Sequence, residues 1–232
     1  MSVAVENFIK AIYKNDKLDN DTSTGNIAKK LGISSAAVTD MAKKLASREL
    51  LLYEKYQSLE LTEKGRQMAL NVVRKHRLWE ALLYKLFDMS LHEIHREAEL
   101  LEHETSDFLA DKISAYLGNP KFDPHGDPIP NSKGLITTVD NSIPLSHTEA
   151  GKSYIISRLI SDDKEFFDFC ALHGLKFGNQ ITVTNQFQNN KMTQISTNSN
   201  TILLNKDFTN IIYVNEINKK QEQKPDTDYR LF

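Results

Sequence analysis

Between His76 and His103 the chain reads HRLWEALLYKLFDMSLHEIHREAELLEH, which sets imidazoles and carboxylates at helical intervals. His76 and Glu80 are four residues apart, as are His95 and Glu99; Glu102 follows Glu99 by three and His103 follows it by four. At about 100° per residue, such positions share one helix face. One helix therefore presents His76 and Glu80, and the next presents His95, Glu99, Glu102 and His103. Repeated imidazole and carboxylate make a mixed nitrogen and oxygen ligand set suited to a divalent transition metal, and the stripe is costly to bury without a cation. Taken singly, each charged pair also fits a solvated helix face; the repetition is what favours a metal.

These residues need helices to hold them. Ser90 followed by Glu93 is a capping-box pattern that starts the second helix, and Ile94, Ala98, Leu101, Thr105 and Phe108 form an apolar seam beside the polar stripe. The first helix belongs to a long apolar run from about Thr62 to Phe87. It is apolar on too many sides for a simple surface helix, which points to a homodimer interface.

Upstream, Val5 to about Lys14 reads as a helix. After the polar loop NDKLDNDTS, a second helix with N-cap candidates at Thr22 to Thr24 buries Ile27, Ala28 and Leu31 and ends at Gly32. A third, capped by Ser34 or Ser35, turns Val38, Met41, Ala42 and Leu45 inward. Helix, glycine turn, helix is the helix-turn-helix pattern. Leu51–Lys55 and Ser58–Thr62 then alternate as two strands of a wing. In that arrangement Ser34, Ser35, Ala36, Thr39 and Asp40 face base edges in the major groove, and Lys43 and Lys44 face phosphates. Lys55 and Tyr56 are further candidates on the wing. Each also has a plainer role open to it, serine as helix cap and lysine as solvated charge.

The fold class expected is α+β, with residues 1–70 a winged-helix DNA-binding domain and 71–145 a helical dimerisation and metal-binding domain. The latter ends in a connector, 119–145, that holds five of the six prolines. Residues 146–218 read as short strands with a helix over Lys164–Leu172, which suggests a small β-barrel with a hairpin turn at Asn189-Asn190. Residues 219–232 read as a disordered tail.

Net charge is only −2, but from Asn26 to Arg77 eleven Lys and Arg face five acids, and from Asp88 to Asp111 one Arg faces eight acids. A basic segment beside an acidic one suits phosphate contact at one end and cation capture at the other. A single cysteine, Cys170, excludes a disulfide framework and a thiolate-rich zinc site. With no apolar run near the ~20 residues that span a bilayer and no signal-peptide pattern, a cytoplasmic protein without membrane contact is expected.

Two rivals come from other classes. A metal-dependent hydrolase or oxidase lacks support, since there is no H-E-x-x-H and the residue three before His103 is Leu100, not the Glu of a Glu-x-x-His motif. The other is a winged-helix regulator whose carboxylates bind nothing and whose barrel senses a small molecule.

In order along the chain, the helix-turn-helix, the wing, H-R-L-x-E (His76 to Glu80), H-x-E-A-E-x-x-E-H (His95 to His103) and D-P-H-G-D-P-I-P (Asp123 to Pro130) closely resemble the diphtheria toxin repressor and manganese transport regulator family. The resemblance covers roughly Val5 to Gly178. It implies a homodimeric metal-dependent transcriptional repressor that binds a palindromic double-stranded DNA operator and ends in a Src-homology-3-like barrel. It also implies a primary metal site of Glu99, Glu102, His103 and Asn7, with Glu6 as a neighbouring substitute. An ancillary site would use His76, Glu80 and His95, with Asp123, His125, Asp162 and Asp163 as further ligands. Lys10 stands where some manganese regulators carry a second first-helix carboxylate, which disfavours a binuclear cluster. Glu99 replaces the cysteine of iron-responsive relatives, so the harder donor set favours Mn(II), with Fe(II) the alternative and Zn(II) or Co(II) able to substitute in vitro. A cation shared between first helix and dimerisation helix would fix the spacing of the recognition helices.

Overall fold

Ser23 and Ser34 start the two helices of the helix-turn-helix, each hydroxyl accepting a backbone N–H three residues on, from Asn26 and Ala37. The structure is a computed structural model that describes residues 2–17, 21–187, 189, 191–197 and 200–217. It divides into two units: Met1–His76 with Glu99–Asp111 and Pro130–Ile136, and Arg77–Ala98 with Lys112–Ile129 and Thr137–Phe232.

The first unit holds α1 (Val3–Lys17), α2 (Thr24–Leu31), α3 (Ser35–Ala46), β1 (Leu51–Leu52), β2 (Glu60–Leu61) and the start of α4 (Glu63–Leu86). It also holds the last residues of α5 (Leu91–Leu101) and the start of α6 (Asp107–Tyr116). Gly32 closes α2 at φ +65°, a left-handed conformation that glycine enters without a Cβ clash. Phe8, Ile9 and Ile12 of α1 meet Ile27, Val38, Ala42, Leu45, Leu59 and Val73 in one buried cluster. Each such side chain contributes about 1.5–3 kcal/mol by leaving water, so the reading helix is set against a firm base.

The wing is shorter than its alternation predicts, pairing only Leu51 with Leu61 and Leu52 with Glu60. Leu51 and Leu59 anchor it in the buried cluster. Most of the residues between the two strands are open to water, and an isolated two-stranded ribbon without further apolar surface to cover does not extend itself.

In the second unit, β3 (Ile143–Pro144), β4 (Ser153–Leu159), β5 (Gln180–Phe187), β6 (Met192–Ser196), β7 (Thr201–Asn205) and β8 (Ile212–Glu216) form an antiparallel sheet ordered β3-β8-β4-β5-β6-β7. Alternate residues Tyr154, Ile156, Val183, Ile195, Leu204 and Val214 bury with Phe166, Phe167 and Cys170 of α7 (Lys164–Leu172). Burial pushes the Cys170 thiol up to about 12, so it packs as an inert small hydrophobe. Periodicity alone misses β3 and the short helix α8 (Lys206–Ile211), which Asn205 caps at the Phe208 N–H.

The apolar seam predicts a buried Phe108, but this side chain is 70 % exposed, whereas Ile94 and Ala98 are fully buried. α5 ends at Leu101, so the helical register is not carried through to Phe108. The Asn189-Asn190 turn falls partly, and the tail 219–232 wholly, outside the described residues. Among those residues no helix is long and apolar enough to cross a membrane.

Candidate metal centre

The expected ligands fall into two clusters, one inside each unit. In the first, α1 presents Glu6, Asn7 and Lys10 on one face. Glu99 stands in the last turn of α5, with Glu102 and His103 in the turn that follows. Lys10 Nζ lies 2.8 Å from Glu99 Oε1 and 2.5 Å from Glu102 Oε1. The other oxygen of Glu102 is 2.6 Å from His76 Nδ1. Glu6 Oε2 is 2.6 Å from His103 Nδ1, whose Nε2 faces Glu102 Oε1 at 3.2 Å. Burial works against the Glu99 carboxylate, but Lys10, His76 and Lys14 outweigh it and hold the group at about 2. Asn7 Oδ1 is buried with no hydrogen-bond partner. Tested against a divalent ion, this cluster is a poor fit as it stands: a lysine ammonium already neutralises the two carboxylates that would hold the metal.

The second cluster is built differently. Glu80 of α4 and His95 of α5 pair through Glu80 Oε1 and His95 Nδ1 at 2.8 Å. The loop D-P-H-G-D brings Asp123 and His125 beside them: His125 Nδ1 is 3.6 Å from Glu80 Oε1, and its ring meets that of His95 edge-on, centroids 6.0 Å apart. One oxygen of Asp123, Oδ1, accepts the backbone N–H groups of His125 and Asp127, both at 2.9 Å. The loop is pinned to β4, where Leu159 N–H donates to the His125 carbonyl at 2.9 Å. Gly126, at φ +90°, lies so close to the Ser157 carbonyl that any Cβ would collide with it.

Ligand atoms of Glu80, Asp123 and His125 lie within 4.8 Å of one another, and all three residues are buried. Asp123 Oδ2 and His125 Nε2 are buried without a hydrogen-bond partner, although Arg77 Nε stands 3.6 Å from Asp123 Oδ2. Burial first, then the charges of Glu80 and Asp127, raise the Asp123 carboxyl to about 8. Burial disfavours the His125 imidazolium, but Glu80, Asp123 and Asp127 raise it to about 9. Crowded carboxylates whose buried ligand atoms make no hydrogen bond, with the Arg77 guanidinium no nearer to Asp123 Oδ2 than 3.6 Å, fit a divalent cation.

The remaining expected ligands separate. Asp162 Oδ1 is 3.7 Å from His95 Nε2. Asp163 instead caps α7, accepting the Glu165 N–H, so its carboxylate is committed to the helix. Sequence reasoning sets Lys10 aside as a mismatch and overlooks Arg77 and Asp127. The spacing of Glu6 and Lys10, four apart on α1, is the available signal for the first.

On the helix-turn-helix, Ser34, Ser35, Ala36, Asp40, Lys43, Lys44, Lys55 and Tyr56 are exposed, and Thr39 is half-buried. The Ser34 hydroxyl is used as a cap and that of Thr39 donates to the Ser35 carbonyl, which leaves the Ser35 hydroxyl and the two lysines as the freer groups. Lys55 Nζ lies over the Tyr56 ring, 4.8 Å from its centroid.

Comparison with known proteins finds three families that match parts of the chain. Residues 1–59 match the iron dependent repressor N-terminal DNA binding domain, residues 62–131 the iron dependent repressor metal binding and dimerisation domain, and residues 143–216 the FeoA domain. The chain is 27% identical over 190 residues to the diphtheria toxin repressor of Corynebacterium efficiens, covering 78% of this chain and 83% of that one. It is 36% identical over 110 residues to the HTH-type transcriptional regulator MntR of Geobacillus kaustophilus, covering 47% of this chain and 77% of that one. A solved structure, a manganese-dependent transcriptional repressor in complex with manganese, superposes with a TM-score of 0.85 at 30% identity, over 92% of this chain and all of that one.

Proposed function

This chain belongs to the iron dependent repressor family and is a metal-regulated, DNA-binding transcriptional repressor, not an enzyme; on that premise we propose that its regulating ion is Mn(II), with Fe(II) the alternative. The family binds divalent metal and dimerises through the domain matched at residues 62–131.

In this reading Glu80, Asp123 and His125 hold the ion, with His95 and Asp162 beside it. The observation that carries the assignment is the pair of buried atoms that make no hydrogen bond, Asp123 Oδ2 and His125 Nε2, next to the Glu80 carboxylate. Two hard carboxylates beside one borderline imidazole, with no thiolate, make a comparatively hard set, which favours Mn(II) over softer competitors. The similar solved structure of a manganese-dependent transcriptional repressor in complex with manganese supports the same choice.

Residues 1–70 read DNA, with Ser35, Ala36 and Asp40 towards bases and Lys43, Lys44 and the wing residues Lys55 and Tyr56 towards phosphates. A homodimer presents two such heads to a palindromic operator, each entering the major groove about one helical turn, ~34–36 Å, from the other. Residues 71–145 carry the dimer and the metal, residues 146–218 form the Src-homology-3-like domain, and the protein works in the cytoplasm.

The test is operator affinity across buffered Mn(II), Fe(II), Zn(II) and Co(II), with Glu80→Gln and His125→Ala beside the parent. Mn(II) is expected to tighten binding in the parent and to leave both folded variants unresponsive. A full Mn(II) response in Glu80→Gln overturns the ligand assignment, and activation by Fe(II) at lower free concentration than Mn(II) selects the alternative.

A further inference from the structure

Lys10 stands where a cation would be expected and is itself a cation. It lies on α1, 5 % exposed, with Nζ in ion-pair contact with Glu99 and Glu102, which are 89 and 92 residues further along the chain. Glu102 is 1 % exposed, and both its oxygens face nitrogen: Lys10 Nζ and His103 Nε2 at one, His76 Nδ1 at the other. Glu6 is turned to His103. Asn7 brings a carbonyl and no charge.

The contrast with the Glu80, Asp123 and His125 cluster is one of charge. There, buried carboxylates crowd together, Asp123 Oδ2 and His125 Nε2 make no hydrogen bond, and the Arg77 guanidinium reaches Asp123 only at 3.6 Å. Here the carboxylates have their counter-charges in the chain, and the buried atoms that make no hydrogen bond are the neutral Asn7 Oδ1 and the His103 Nε2. A divalent ion that seeks Glu99, Glu102 and His103 meets a positive charge already seated between two of its ligands. To enter, it must drive the ammonium out of a buried position and back into water.

We propose that Lys10 is the resident cation of this cluster: it ties α1 to the end of α5 without metal, and it is the intramolecular competitor that any divalent ion must displace there. Rank by metal affinity is thereby set by one residue. The cluster around Glu80 answers to low concentrations of the ion, while the Lys10 cluster stays closed and metal-free until the concentration is much higher. This rests on the reading that the protein responds to a divalent cation, but it concerns a different set of residues.

The experiment counts Mn(II) ions by the decrease of free-ion signal in electron paramagnetic resonance, using full-length protein. Glu80→Gln serves as background, so that the other cluster is silent. In that background Lys10→Met is expected to bind Mn(II) at least tenfold more tightly than its Lys10 parent, and Lys10→Arg, which keeps the charge, is expected to match the parent. Equal Mn(II) affinity in Lys10→Met and its parent overturns the proposal. Circular dichroism keeps the test open where Lys10→Met does not fold in chelator: recovery of the fold on adding Mn(II) supports replacement of one cation by another, and failure to recover overturns it. Tight binding in the Lys10→Met, Glu80→Gln protein leaves the inference standing even if the Glu80 cluster proves not to be the regulatory site. Loss of the Mn(II) response in Glu80→Gln alone bears on the regulatory site and not on Lys10.

Discussion

Lys10 and Glu102 form an ion pair of 2.5 Å in which the side chains are 6 % and 0 % exposed. Buried pairs of this kind add little beyond a well-packed apolar pair, yet they cannot be broken cheaply from one side. Removing the ammonium leaves Glu102, and in part Glu99, without a counter-charge. In chelator, Lys10→Met is therefore expected to lose about 3 kcal/mol or more of unfolding free energy, measured by urea titration at neutral pH. A change within error of zero would mean that the pair is not formed in solution.

The same pair has a signature in acid. Glu99 is held at about 2 against an ordinary 4.5, so its charged form stabilises the fold in full above 4.5, and this contribution is lost as pH falls through about 2. The stability gap between the parent and Lys10→Met is expected to narrow across that window. Melting temperatures at stepped pH give the reading.

The Glu80 cluster behaves in the opposite sense. His125 is raised from 6.5 to about 9 and Asp123 from 3.8 to about 8, so metal-free protein gains most from this cluster when both are protonated. That contribution is full below the ordinary values and is lost as pH rises from 3.8 to about 8 for Asp123 and from 6.5 to about 9 for His125. Mn(II) binds the deprotonated groups, so its stabilising shift is expected to grow over the same range and binding is expected to release protons. Calorimetry in buffers of different ionisation enthalpy would detect the protons; a shift independent of pH from 6 to about 9 would count against Asp123 and His125 as ligands.

Adjacent acids are expected to part company. Asp163→Ala removes the cap of α7 and should cost about 1 kcal/mol with metal affinity unchanged. Asp162→Ala, beside His95, should weaken Mn(II) binding and leave stability intact. Paired urea and metal titrations separate the two roles.

On the DNA side, Lys43 and Lys44 are exposed at the end of α3. If each neutralises a phosphate, its replacement by Ala should flatten the dependence of log affinity on log salt by about 0.9 per phosphate left bare, counted twice in a homodimer. An unchanged slope would return both lysines to solvent.

Much of this molecule is written in short-range pattern. Ser34 as cap, Gly32 as helix stop, the Ser90 and Glu93 box and the alternation of β4 to β8 are all decided within a few residues, because capping and burial periodicity act over one or two turns. The same holds for the chemistry that the types and spacings of His76, Glu80, His95, Glu99, Glu102 and His103 announce. What spacing cannot register is the partner that arrives from far along the chain. Lys10, read alone, is a mismatch on an amphipathic helix; packed against Glu99 and Glu102, it takes a cation's place. Asp123, read alone, is a turn residue. Only when β4 holds its loop does one oxygen become fixed by backbone N–H groups and the other become a buried ligand atom that makes no hydrogen bond. Charge compensation depends on distance in space and on exclusion of water, and neither is set until the chain has closed on itself.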